Sequence, residues 1–409
     1  MTEHQYHAAG MDADAVTRWI EDNAHPLTSL DPRTPLADLE PLAHLVRDAT
    51  VVGLGASTRG AHELSTLMHR VLRFLVEDMG FRSLAVEDDW TTGIQINEYL
   101  RTGNGDPRAL AAAAWLPFRT EEFLDVIEWM RFYNERHPAD PVRFVGVDIN
   151  RVRSLTYDAV ADYVRHAAPD RLDELKAHYA TLRPATGIDE HTEWYRSQPD
   201  KQPFIDHARR AHDLVDGLPA GEGHALALHH ACVVVNFYEY HATDSLAFAE
   251  ECLAENTIWW HNHTGDRTVY WGGSGHTANA RTRIFSAPST SEPEHNAGSY
   301  LRDHYGPRYV SVGLSFDHGA VPYPVPPPPT AFADAALGAV SLDTYLLDLH
   351  ASQPAPVRAW LTSPAKVRLI GPRFDPNDNA AFHLTGGSLA EWFDIIIHHQ
   401  VTTSTRPLT

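Results

Sequence analysis

Cysteine is almost absent: the 409-residue chain has two, Cys232 and Cys252, and neither lies in a nucleophile or metal motif. A disulfide framework and thiolate chemistry are therefore unsupported, and the usage suits a reducing compartment. Positive charge is also scarce, with 33 Lys and Arg against 54 Asp and Glu and a net charge of −21. A surface of that sign repels phosphate, which argues against nucleic acid and anionic membranes as partners and leaves small molecules. No apolar run approaches the roughly 18 residues that a membrane span needs. The opening "MTEHQYHAAGMDADAV" has neither a basic region nor an apolar run, so the expectation is a cytoplasmic protein without a signal peptide.

Several chemical motifs are missing too. "VVGLGASTRGAHE" at 51–63 begins like a nucleotide loop, yet Gly53, Gly55 and Gly60 give G-x-G-x-x-x-x-G, with Thr58 at the third fingerprint position. No Gly-Lys-Ser/Thr follows, so no nucleotide is implied. G-x-S-x-G and H-E-x-x-H are absent, and the histidine pairs at 229–230, 261–263 and 398–399 lack the spacing of a metal site. The expectation is a protein that needs no cofactor and no metal.

What remains is a regular alternation. β-rich runs occur at 50–55, 83–87, 143–148, 267–273, 309–316, 366–371 and 394–400. Between them, Ala61, Leu64, Met68, Val71, Leu72, Leu75 and Met79 repeat with helical spacing, and "TEEFLDVIEWMRFYNERH" at 120–137 is a second amphipathic helix opened by Thr120. This predicts an α/β fold, a mostly parallel β-sheet flanked by helices. Residues 151–265 show helical patterns and no strand, which predicts a helical insertion covering the cleft, with 1–150 and 266–409 forming the α/β core.

In such sheets ligands bind beyond the carboxyl ends of the strands. Those ends carry Arg59 and His62, then Glu87 in "EDDW", Asp148 in "DIN", and His276 in "GSGHTANAR". Carboxylates and imidazoles on one edge suit general acid–base work near neutral pH. Taken singly, each has a blander reading: Glu87, Asp88 and Asp89 could cap a helix, and His276 is one of 26 histidines. Trp90, Trp115, Phe118 and Trp271 lie where some would line an apolar cleft.

The stretches "GLGASTRGAHELSTLMHRVLRFLVEDMGFRSLAVEDDW", "AENTIWW", "VYWGGSGHTANA", "GSYLRDHYGPRYVSVGLSF" and "FDIIIHHQVTTSTR" resemble the erythromycin esterases. The resemblance implies an α/β core with a helical insertion, and a metal-free cleft where imidazole and carboxylate activate water against a macrolide lactone. Four positions depart from it. The family's G-E-x-x-H has Ala56 and Arg59 here, and the first histidine of W-A-H-N-x-H is Gly273. Met68 replaces a basic residue of the first helix, whereas Glu87 and His276 are kept. A guanidinium has no lone pair with which to take a proton from water. The reading is therefore a cofactor-free enzyme of natural-product tailoring, in which Glu87 and His276 move protons in a cyclisation, elimination or isomerisation. Arg59, His62, Asp148, Trp90 and Trp271 would contact substrate. The alternatives are a macrolactone or ester hydrolase, with His62 or His69 as the base, and a non-catalytic small-molecule-binding protein.

Overall fold

The computed structural model describes residues 13–185, 187–287, 291–371 and 373–408. Its strands are β1 (His25–Pro26), β2 (Val51–Ala56), β3 (Ser83–Asp89), β4 (Arg143–Asp148), β5 (Thr268–Gly273) and β6 (Ile284–Phe285). Then follow β7 (Tyr309–Ala320), β8 (Pro324–Val325), β9 (Thr344–Asp348), β10 (Val367–Arg368), β11 (His383–Thr385) and β12 (Ile395–Thr402). The chain divides into two compact units, one of Met1–Leu84, Asp106–Arg143 and Asp266–Thr409, the other of Ala85–Gly105 and Phe144–Gly265.

In the first unit the sheet is built outward from β2. All six residues of β2 are buried, as expected of a strand covered on both faces, and this is why it reads as a continuous apolar run rather than an alternation. It pairs in parallel with β5 (Val51 opposite Thr268) and with β7 (Val51 opposite Tyr309). β12 continues the sheet parallel to β7, and β9 then β1 close it antiparallel. Beneath β9 and β12, Tyr345, Leu347, Ile396, Leu337, Trp360 and Trp392 form one apolar cluster. The predicted run 366–371 is only partly a strand: Val367 and Arg368 join a small separate sheet with β11 and β6. The run is diverted because the N–H of Ile370 donates to the carbonyl of Ser57 (2.8 Å).

In the second unit β3 lies beside β4, and helix Trp90–Thr102 starts directly from the end of β3. Asp89 caps that helix by accepting from the N–H of Thr92 at 2.7 Å, so part of the acidic run is a helix cap. Only glycine fits at Gly93 and Gly146, where a β-carbon would come 2.0 Å from the Gly146 nitrogen and 2.2 Å from the Asp89 carbonyl oxygen, respectively. The described residues of 151–265 are helical without a strand, from Ser154–Ala167 to the long helices His224–Thr243 and Leu246–Thr264. Among the described residues no helix is long and apolar enough to cross a membrane.

Candidate functional site

Helix His62–Glu77 begins immediately beyond the turn that follows β2, so the sequence Ser57–Ala61 has to reverse direction within a few residues. That turn places Arg59 against the end of β5. A β-carbon on Gly273 would meet Nη2 of Arg59 at 2.7 Å and Cζ at 3.0 Å, so the guanidinium rests where a side chain at 273 would emerge. On its other side it faces the ring of Trp115, with Cζ 5.0 Å from the ring centroid. A small cavity of about 20 Å³, room for roughly one water, adjoins it. Ala56, Thr58, Ser65, Met68, Phe118 and Trp271 are among its walls. Arg59 is the one charged residue in that lining among the described residues.

His62, the first residue of the helix and three residues after Arg59, does not line the cavity. Its Nδ1 lies 2.6 Å from Oε1 of Glu122, whose carboxylate is buried while a third of the imidazole stays exposed. Arg406 donates to the same carboxylate through Nε (3.0 Å) and its backbone N–H (3.1 Å). Burial pushes the Glu122 carboxyl up, but the bonds from His62 and Arg406 outweigh it and hold the group below its ordinary value. His69, the other candidate substitute base, packs edge-on against Trp129 with centroids 5.5 Å apart. Burial drives its pKa down to about 3, and it does not line the cavity. His276 is half-buried in the short helix Ser274–Thr277 directly after β5.

Three sequence candidates belong to the second unit. Glu87 is buried near the end of β3. Asp148 ends β4 and accepts from the N–H (2.5 Å) and side-chain amide (2.8 Å) of Asn150, which closes its own turn. Trp90 is held by the helical unit. It is completely buried, its indole N–H donates to Nδ1 of His230 at 2.8 Å, and its ring meets His229 edge-on at 4.5 Å. Trp90 thus packs inside the helical unit directly after the Asp89 cap.

Glu122 and Arg406 escape a reading of the sequence, because the first lies 60 positions from His62 and the second 284 from Glu122. The only hint is the family-like ending "TTSTR" at 402–406.

The sequence profile described as Erythromycin esterase matches residues 76–402. The chain belongs to the erythromycin esterase family. An Erythromycin esterase type II of Escherichia coli is 30% identical over 133 residues, 32% of this chain and 31% of that protein. The alignment thus spans about a third of that relative. A Putative hydrolase YbfO of Bacillus subtilis (strain 168) is 21% identical over 385 residues, covering 85% and 84% of the two chains. A Bacillus cereus protein of known crystal structure shares the fold with a TM-score of 0.86 at 24% identity, over 97% of this chain and 100% of that one. In this structure Arg59 occupies the space that the missing side chain of Gly273 leaves.

Proposed function

We propose that this family member is a cofactor-free acid–base enzyme acting on a small-molecule natural product of polyketide or macrolide type. Glu87 and His276 transfer protons, and Arg59 stabilises negative charge as it develops. The reaction is a cyclisation, elimination or isomerisation rather than addition of water. The observation that carries this reading is the guanidinium of Arg59 lying against Gly273. Where relatives of this type carry imidazoles, a permanent cation stands that can bind an oxyanion but cannot deprotonate water. A preorganised pocket then supplies proximity, which suffices for an intramolecular step. The sequence holds no nucleotide or metal motif, and no step calls for either.

A second reading, ester or macrolactone hydrolysis, has an observation of its own. The bond between His62 Nδ1 and Glu122 fixes the ring as a general base requires, with the carboxylate orienting one nitrogen so that the other can act. The names of the two relatives above, an erythromycin esterase and a putative hydrolase, point the same way. Product mass separates the two. Cyclisation or isomerisation leaves the substrate mass unchanged, elimination removes water, and hydrolysis adds it. Efficient addition of one water to a macrolide such as erythromycin, abolished by His62→Ala, would replace the first reading by the second. Glu87→Gln and His276→Ala are each expected to slow the native reaction by roughly 10²–10⁴.

A further inference from the structure

The histidine pairs that stand out in the sequence at 229–230 and 398–399 are taken up by packing, since His229, His230, His398 and His399 are all buried. A pair that the sequence does not announce is placed differently. In the second unit, helix Leu172–Leu182 packs against helix Gln202–Asp216. Leu175, Tyr179 and Leu182 of the first are buried, as are Ala208, Ala211 and Leu214 of the second. His178 and His207 lie half-exposed at the edges of these apolar stripes.

The two rings meet head to head. Nδ1 of His178 lies 2.9 Å from Nδ1 of His207, and the ring centroids are 5.2 Å apart with their planes inclined by 57°. In a neutral pair one Nδ1 carries a hydrogen and the other accepts it. When the donor ring holds its hydrogen on Nε2 instead, both Nδ1 lone pairs face one gap and no proton has left the pair. Two facing lone pairs repel unless a cation stands between them.

The gap has the dimensions of a metal site. Zinc binds imidazole nitrogen at about 2.0–2.1 Å in a tetrahedral array, which puts two such nitrogens about 3.3–3.4 Å apart. The nitrogens would thus separate by about 0.4 Å. With each ring centre about 1.1 Å behind its nitrogen, the same array spaces the centroids by about 5.1–5.2 Å, the spacing they already have. A small pivot of each ring is enough. Two charged neighbours act on His178 in opposite directions. Glu174, one turn earlier and paired with Arg171 at 2.7 Å, attracts a cation, and Arg210, one turn beyond His207, repels it. No third His, Cys, Asp or Glu completes a cluster among the described residues, so water would fill the remaining positions.

We infer that His178 and His207 form a two-histidine clip for a divalent transition metal of the imidazole-binding class, zinc or copper. The ion would join helices Leu172–Leu182 and Gln202–Asp216 across the 29 positions that separate its ligands. Closing a span of that length removes freedom from the unfolded chain, so the clip would stabilise the helical unit. Neither histidine belongs to the candidate active site, and the proposed reaction does not use the metal.

The test is calorimetric titration of the metal-stripped full chain with zinc chloride at pH 7.5, where imidazoles with the ordinary pKa of about 6.5 are mostly neutral. One zinc per chain should bind more tightly than any other. His178→Ala and His207→Ala should each weaken that event at least about tenfold, the lower end for disturbing a metal's ligand shell. The double variant should be no weaker than either single one, because either loss already opens the chelate. Both rings are half-exposed, so neither variant is expected to disturb folding. With copper chloride, electron spin resonance should show two coordinating nitrogens in the parent and one in each single variant. Zinc should also slow amide exchange in the two helices of the parent and not in those of the variants, an effect that scattered surface histidines would not produce. Magnesium, which prefers oxygen ligands, should do neither. Zinc affinity unchanged in either single variant, losses that add in the double variant as for two separate sites, or exchange in the two helices indifferent to zinc would each overturn the clip.

Discussion

At position 273 the absence of a β-carbon decides what the neighbouring cation can do. The obstruction a methyl group would meet is the tip of a flexible side chain, 2.7 Å away, so the arginine can swing aside at little cost. Gly273→Ala should therefore change stability by less than about 1 kcal/mol while displacing Arg59 from Trp115. Its rate on the native substrate should fall toward that of Arg59→Gln. A rate equal to that of the parent would show that Gly273 does not govern the guanidinium. The converse experiment restores the family's groups with Ala56→Glu, Arg59→His and Gly273→His in one chain. A folded triple variant is expected to add water to a macrolide lactone at least about 10²-fold faster than the parent, the lower bound for a positioned base. A folded variant no faster than the parent would sink the assignment of these positions. The altered residues can be read from sequence because they interrupt a motif that otherwise matches. The packing of Trp90 cannot, because nothing near it in sequence marks His230, 140 positions away, as its partner.

Among the elements, the buried parallel strands are legible. The expected runs 143–148 and 267–273 correspond to Arg143–Asp148 and Thr268–Gly273, and Thr120 caps helix Glu121–Arg136 as its sequence predicts. What escapes notice is short: the two-residue strands, the five-residue β9 despite its apolar Tyr345, Leu346 and Leu347, and the segment after β12. That segment works as a strap. Thr405 N–H donates to the Gly60 carbonyl, His62 N–H to that of Thr403, and Leu408 N–H to that of Arg119. It thereby joins the turn bearing Arg59 to the turn that follows Phe118. Glu63 anchors it, accepting from the N–H of Thr403 (2.6 Å) and from the hydroxyls of Thr402 and Thr403 (both 2.7 Å). Burial pushes the Glu63 carboxyl up, but these donors prevail and hold it below its ordinary value. A carboxyl depressed by folding stabilises above its unfolded pKa, and the contribution disappears as pH falls through the folded value. Glu63→Ala should cost roughly 2–3 kcal/mol near neutral pH, because hydrogen bonds to a charge are lost and buried donors remain. Urea unfolding should report that loss, and the amides of 403, 405 and 408 should exchange faster with solvent. Unchanged exchange at those amides would mean that the strap does not depend on Glu63.

Over the whole molecule, the abundance of histidine becomes a statement about acid stability. Of 26 histidines, seven are buried among the described residues and pushed down by desolvation: His69, His229 and His398 to about 3, His230 and His241 to about 4, and His191 and His399 in the same direction. Each stays neutral when folded and takes up a proton readily when unfolded, near the ordinary pKa of about 6.5. Stability therefore rises with pH. The contribution is complete above about 6.5 and is lost progressively as pH falls toward the folded values. Between pH 6.5 and 5.5 each such group removes about 1 kcal/mol, so the five with the lowest values remove roughly 5 kcal/mol over that unit. That is comparable to the whole stability of an ordinary domain, about 5–15 kcal/mol. His350, held above its ordinary value by its bond to Asp394, opposes the trend as a single group. The protein should therefore lose stability steeply between pH 6.5 and 5, before most carboxylates protonate, with an uptake of several protons. Tryptophan fluorescence followed from pH 7 to 4, with urea midpoints at pH 7, 6 and 5.5, measures this directly, and a midpoint unchanged between pH 7 and 5.5 would refute it. His69→Phe offers the finer check. The ring packs on Trp129 and its Nε2 is buried without a hydrogen-bond partner, so an apolar ring of similar shape can take its place. The variant should gain acid stability, with proton uptake reduced by about one, whereas the parent's pH dependence in this variant would mean that His69 titrates normally.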